Sequence, residues 1–151
     1  MSEEYTETMA QLAGVWRLIS SEFRVSGGEV IYPLGENAQG QVMISQSGYM
    51  SGQLMRPGRA EYASAQPQSG TDDEIRQAAE GYIAYYGPFE LDLAQQKVIT
   101  HVEGSLFPNW VGHDQERFFQ LTAEHLTLST PPFAFGDQEF TGVLVWERLS
   151  A

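Results

Sequence analysis

The chain has 151 residues, 42% of them hydrophobic and 19% charged, which is enough for one domain with one core and too apolar for a disordered segment. A formal net charge of −12, with Lys97 as the sole lysine, argues against nucleic acid and anionic membranes as partners and reads as a solubility device. There is no cysteine, so disulfide and thiolate chemistry are excluded.

No apolar run approaches the roughly 20 residues of a membrane helix, and the acidic start Met-Ser-Glu-Glu-Tyr lacks the basic-then-apolar layout of a secretory leader. The expectation is one cytoplasmic domain over 1–151. Oligomeric state is left open, a dimer included.

In chain order, Ser2 caps a short helix over 2–12, which Gly14 ends. Residues 14–24 are rich in β-branched and aromatic side chains and predict a long strand. Residues 25–38, with Gly27, Gly28, Pro33 and Gly35, predict a long loop of the kind that carries function. Ser47-Gly48 joins strands 39–46 and 49–55 in a hairpin. Thr71-Asp72-Asp73-Glu74 is a capping box. Ile75, Ala78, Ala79 and Tyr82 follow at helical spacing, so a helix is placed at 71–84 and closed by Gly87-Pro88. Strands then follow at 89–93, 97–103, 115–122, 125–130 and 141–149. Eight strands without βαβ alternation predict an all-β, closed antiparallel barrel, wide enough for one small ligand.

Register can be tested for consistency. Pairing Leu91 with Ile99, Ile99 with Leu121 and Leu121 with Leu126 puts Phe89, Leu93, Phe119 and Leu128 on one face. His101, Glu103 and Arg117 fall on that same inward face, with Arg117 opposite Glu103. A slip of one residue in any pair would reverse its assignment.

Gly14-Val15-Trp16 on the first strand and Arg148 near the end of the last resemble the lipocalin and calycin arrangement, in which a tryptophan plugs the closed end under an arginine. Further segments are similar to the small microbial lipocalin-like domain proteins. They are Tyr-Pro-Leu-Gly-Glu-Asn-Ala-Gln-Gly (32–40), Gly-Tyr-Met-Ser-Gly-Gln-Leu-Met-Arg-Pro (48–57), Gly-Tyr-Ile-Ala-Tyr-Tyr-Gly (81–87), His-Val-Glu-Gly-Ser-Leu-Phe-Pro-Asn-Trp-Val-Gly (101–112) and Leu-Ser-Thr-Pro-Pro (128–132). The resemblance implies a lipocalin-like barrel and spans nearly the whole chain. It implies no single activity, since related barrels include passive carriers and cofactor-free cyclases or isomerases. The chain departs from secreted lipocalins in having no cysteine pair, no helix after the last strand and an inserted helix.

The candidate site is the stretch 101–117. Two functions are carried from it. The first is binding of a small, largely apolar ligand with a polar end, with Tyr49, Gln53, Met55, Tyr82, His101, Glu103, Phe107, Asn109, Trp110, Arg117 and Phe119 as lining residues. The helix at 71–80 and the loop 25–38 would serve as lids. The second is a cofactor-independent isomerase or cyclase with His101 or Glu103 as acid/base and Arg117 as charge stabiliser. Against both stands a purely structural cross-strand ion pair of Glu103 and Arg117. A metal site of His101, Glu103, His113 and Asp114 is weighed and set aside: the two histidines are separated by a whole loop, and no HExxH or cysteine cluster is present. No cofactor is expected. With no P-loop, no GxGxxG after a strand and no GxSxG, nucleotide binding and serine hydrolysis have no support.

Overall fold

The computed structural model describes residues 2–151; Met1, the first residue of the acidic start, lies outside them. The first element, α1 (Glu3–Leu12), begins where the Ser2 hydroxyl accepts the Tyr5 N–H at 3.1 Å, and Glu3 and Glu4 lie favourably in its first turn. It buries Met9 and Leu12.

The strands are β1 (Gly14–Val25), β2 (Val30–Ile31), β3 (Gln39–Ile44), β4 (Tyr49–Met55), β5 (Tyr82–Asp92), β6 (Lys97–His101), β7 (Gly104–Ser105), β8 (Asp114–Leu121), β9 (His125–Ser129), β10 (Phe133–Phe135) and β11 (Gln138–Ser150), with α2 (Asp72–Glu80) before β5. All pair antiparallel. Eight close in the order β1-β3-β4-β5-β6-β8-β9-β11, and β11 returns to β1, so the expected closed barrel is present. The short strands β2, β7 and β10 extend its edges along β1, β5 and β11.

Following paired residues round the circle identifies the inner face. Trp16 lies opposite Val42, Val42 opposite Gly52, and Gly52 opposite Tyr85. Farther along, Phe89 lies opposite Thr100, Val98 opposite Arg117, Phe119 opposite Leu128, Leu128 opposite Leu144, and Leu144 opposite Ser21 of the first strand. The buried core follows this ring: Trp16, Leu18, Val42, Leu54, Phe89, Leu91, Phe119, Leu126 and Trp146.

The connections are sorted by length. Tight turns at 45–48, 93–96 and 122–124 gather at the end occupied by α1, whereas the long segments 26–38, 56–81, 102–113 and 130–137 all lie at the other end, the mouth. At the tight end Trp16 is fully buried, and its indole N–H donates to the Leu12 carbonyl at 3.0 Å. The Arg148 guanidinium stands 4.1 Å over the ring and donates to the carbonyls of Gln11, Ala13 and Ala123. It therefore caps the C-terminal end of α1 while it closes the barrel.

Three expectations need correction. The helix placed at 71–84 stops at Glu80, and 82–92 is one long strand. Its β-branched and aromatic residues pair with β4 from Met55 to Tyr49, and this pairing overrides the break signalled by Gly87-Pro88. That dipeptide instead marks the point where β5 leaves β7 and joins β6. The apolar helix face is not buried either: α2 has no buried residue and Ile75 is 46% exposed.

The third correction concerns register. Leu91 pairs with Val98 and Ile99 with Glu90, a slip of one residue from the pairing above, and across the other edge Ile99 lies opposite Glu116, five residues from the expected Leu121. The cause is the turn: Asp92 pairs with Lys97, the Asp92 carboxylate accepts the Gln95 N–H at 3.1 Å, and Gln96 takes the left-handed conformation at φ 54°. This turn holds four residues where the earlier pairing allowed three. The β8–β9 hairpin, by contrast, has the expected pairs Leu121–Leu126 and Phe119–Leu128.

Candidate functional site

The slip decides which polar groups enter the barrel. With Val98 and Thr100 inward, His101 turns outward, and its side chain is 44% exposed. Its Nδ1 lies 2.6 Å from Asp114 Oδ1 and its Nε2 3.9 Å from Glu90. Glu103 is exposed beyond the end of β6 and has no pairing with Arg117, so the cross-strand ion pair does not form. Tyr49, Gln53, Met55 and Tyr82 share the outer face, because their partners across the strands, Pro88, Ala84 and Gln39 among them, alternate with the inward ring. Tyr82 instead carries Arg59 over its ring at 5.0 Å.

Arg117 and Phe119 do point inward. Arg117 borders an internal hollow of about 20 Å³ together with Leu12, Val42, Met50, Tyr85, Thr100 and Leu128. Two of the five guanidinium N–H groups are engaged, by the Glu116 carbonyl at 2.8 Å and the Gln115 side-chain oxygen at 3.2 Å. Among the described residues no carboxylate lies within ion-pair distance of Arg117. Glu116, its neighbour, faces outward and pairs with Lys97 at 2.8 Å. A second interior donor, the Trp146 indole N–H, is buried without an acceptor.

The segment 102–113 covers this part of the mouth. It is pinned at its base by Val102 and His113, whose backbones bond at 3.0 Å, and by the Glu103 N–H on the Tyr86 carbonyl at 2.9 Å. A single 3₁₀ turn, Pro108–Trp110, aims Trp110 at the rim. There its ring meets Tyr85 edge to face at 5.4 Å, and Phe107 meets Trp110 at 5.5 Å. Asn109 is exposed on the outside of the turn. The chain Phe107–Trp110–Tyr85 thus links an exposed loop to a side chain that lines the hollow.

Tyr85, Thr100, Met50 and Val42 were not among the candidate lining residues. Reading 82–92 as one strand would have found the first, because Ile83, Tyr85, Phe89 and Leu91 alternate at period two through Gly87-Pro88. Thr100 carries no such signal, since Val98 and Ile99 make both phases of β6 partly apolar.

The His101–Asp114 contact closes the base of the same segment, at the last residue of β6 and the first of β8. The carboxylate of Asp114 holds the imidazole pKa above its ordinary value, with burial opposing and Glu90 adding a smaller pull. Because the folded pKa is raised, the contact stabilises fully below the unfolded value of about 6.5 and is lost as pH rises through the folded one. The melting-temperature gap between the native chain and His101→Gln is therefore expected to be largest below about pH 6.5 and to shrink as pH rises above it. A gap that widens with pH would contradict the assignment.

The lipocalin-like domain profile matches residues 13–149. The chain belongs to the lipocalin-like domain family. A 4'-hydroxy-3'-methoxypropiophenone carrier protein of Aspergillus oryzae is 38% identical in an alignment 107 residues long that covers 66% of this chain and 96% of that protein. No solved structure matches the chain. Among the described residues no helix is long and apolar enough to cross a membrane, and no cluster of His, Cys, Asp or Glu is arranged to hold a metal ion.

Proposed function

We propose that this lipocalin-like barrel is a carrier that encloses a small, largely apolar molecule and holds its oxygen-bearing end against Arg117. The observation that carries the reading is an inward guanidinium with no acid partner in an otherwise apolar interior. Partly buried, the guanidinium keeps three N–H groups available to an acceptor that enters the hollow. The relative named as a carrier of an aryl ketone with hydroxyl and methoxy groups supports a ligand of that kind, a flat apolar ring with oxygen acceptors. The inner face supplies no Asp, Glu or His, so neither His101 nor Glu103 is there to serve as the acid/base of the isomerase or cyclase alternative.

A hollow of about 20 Å³ admits about one water. A benzene-sized ligand therefore enters only if side chains yield. Met50 is the adaptable wall, and the segment 102–113, with Trp110 on Tyr85, is the part of the mouth placed to open.

The test is titration with 4'-hydroxy-3'-methoxypropiophenone, followed by tryptophan fluorescence and native mass spectrometry. Saturable one-to-one binding with a change in indole emission is expected. The absence of any complex at millimolar ligand would overturn the reading. Gly52→Ala sharpens it. Gly52 faces inward between Val42 and Tyr85, and an added Cβ would meet Val42 and Met50 at ordinary contact distances of 3.5–3.8 Å. That substitution is expected to stabilise the fold by about 0.5–1 kcal/mol while weakening ligand binding about tenfold, because the ligand then overfills the site.

A further inference from the structure

We infer that the ligand is held in its ionised form: a weakly acidic hydroxyl, of the phenol or enol class, loses its proton on entering the barrel and sits as an oxyanion against Arg117. This rests on the carrier reading above and names the chemistry of the molecule carried.

Three observations lead to it. Arg117 is a guanidinium, a side chain always charged in proteins, and its present acceptors, a backbone carbonyl and an amide oxygen, are both neutral. The elements around it offer no counter-charge: Val98 and Thr100 of β6, Met50 of β4, Tyr85 of β5 and Leu128 of β9 border the same hollow, while Lys97, Glu116 and His101 all face out. A buried donor without an acceptor, Trp146 Nε1, lies elsewhere in the interior. The hollow thus holds one positive charge with no acidic partner and three N–H groups not taken by protein acceptors, and an oxyanion entering it satisfies them. In a site of low dielectric the attraction between such charges is far stronger than in water.

The exterior adds a constraint on the route. At a net charge of −12 the protein repels anions approaching from solution. A neutral hydroxyl compound escapes that repulsion, enters protonated and ionises inside. The O–H bond breaks, the electron pair stays on oxygen, and the proton passes to buffer.

The probes are 4-hydroxyacetophenone, whose phenolate absorbs at longer wavelength than its phenol, and 4-methoxyacetophenone, which cannot ionise. With the native chain at a pH one unit below the free phenol's midpoint, binding of the hydroxy probe is expected to bring up the phenolate band. The bound midpoint should move down by at least one pH unit, and the hydroxy probe should bind tenfold or more tightly than the methoxy probe. Arg117→Met should bind both equally and show no band, and Arg117→Lys should restore part of it. Binding of the hydroxy probe without the band, or a band that persists in Arg117→Met, overturns the inference and leaves the carrier reading standing. Failure of both probes to bind removes the carrier reading and this inference with it.

Discussion

Trp16→Ala is expected to lower the free energy of unfolding by about 3–5 kcal/mol, the range for deleting a fully buried aromatic side chain. A domain of this size holds only about 5–15 kcal/mol in total, so the melting temperature should fall by roughly 10 °C or more. The cost exceeds packing. The Leu12 carbonyl loses its donor at 3.0 Å, and the Arg148 guanidinium loses the ring 4.1 Å beneath it while remaining tied to three carbonyls. Trp16→Phe keeps a ring for the guanidinium and forfeits the indole hydrogen bond, so it should recover part of the loss. Denaturant unfolding of the pair checks this. A Trp16→Ala loss below about 1 kcal/mol would mean that the plug does not close the barrel.

Gly87→Ala is expected to destabilise by about 3 kcal/mol or more, the opposite sign from the same change at Gly52. At Gly87 a Cβ would collide with the backbone carbonyl oxygen of His101 and crowd the Glu103 N–H. Backbone cannot rotate away as a side chain can, so β5 or the base of the segment 102–113 must shift. The Glu103 N–H bond to the Tyr86 carbonyl lies beside the collision and should weaken with it. Amide hydrogen exchange is the direct measure: protection at Val102 and Glu103 should fall before that of the β1–β11 seam. Equal protection in both proteins would show that the close approach is slack.

Much of the architecture was legible in the residues. Alternation located eight strands, Ser2 and Thr71 marked helix starts that are present, and Gly-x-Trp with a distant arginine indicated the plugged end. The site was less legible. In β8 the apolar residues Phe119 and Leu121 occupy one phase against Gln120, so Arg117 was placed correctly inside. In β6, Val98 and Ile99 occupy opposite phases, so the pattern could not say whether Thr100 or His101 faces in. The same ambiguity in 49–55 sent Tyr49, Gln53 and Met55 to the wrong face, since Met50 and Leu54 flank an inward glycine that carries no hydropathy signal.

Composition and alternation by themselves pointed to an acidic, cysteine-free, all-β domain closed as a barrel, because burying apolar faces leaves an alternating chain few other ways to close, and the plug was what the lipocalin resemblance implied. Only the tertiary structure decided what the barrel encloses. The phase of β6 is set by a four-residue turn and a left-handed Gln96, the face of β4 by its pairing with β5, and neither is written in the hydropathy of the strand concerned. A strand repeats every two residues, so a single residue gained in a turn exchanges one whole face for the other. That exchange turned the His101 imidazole out to solvent, the early end of β6 left Glu103 outside the sheet, and the Arg117 guanidinium stayed within.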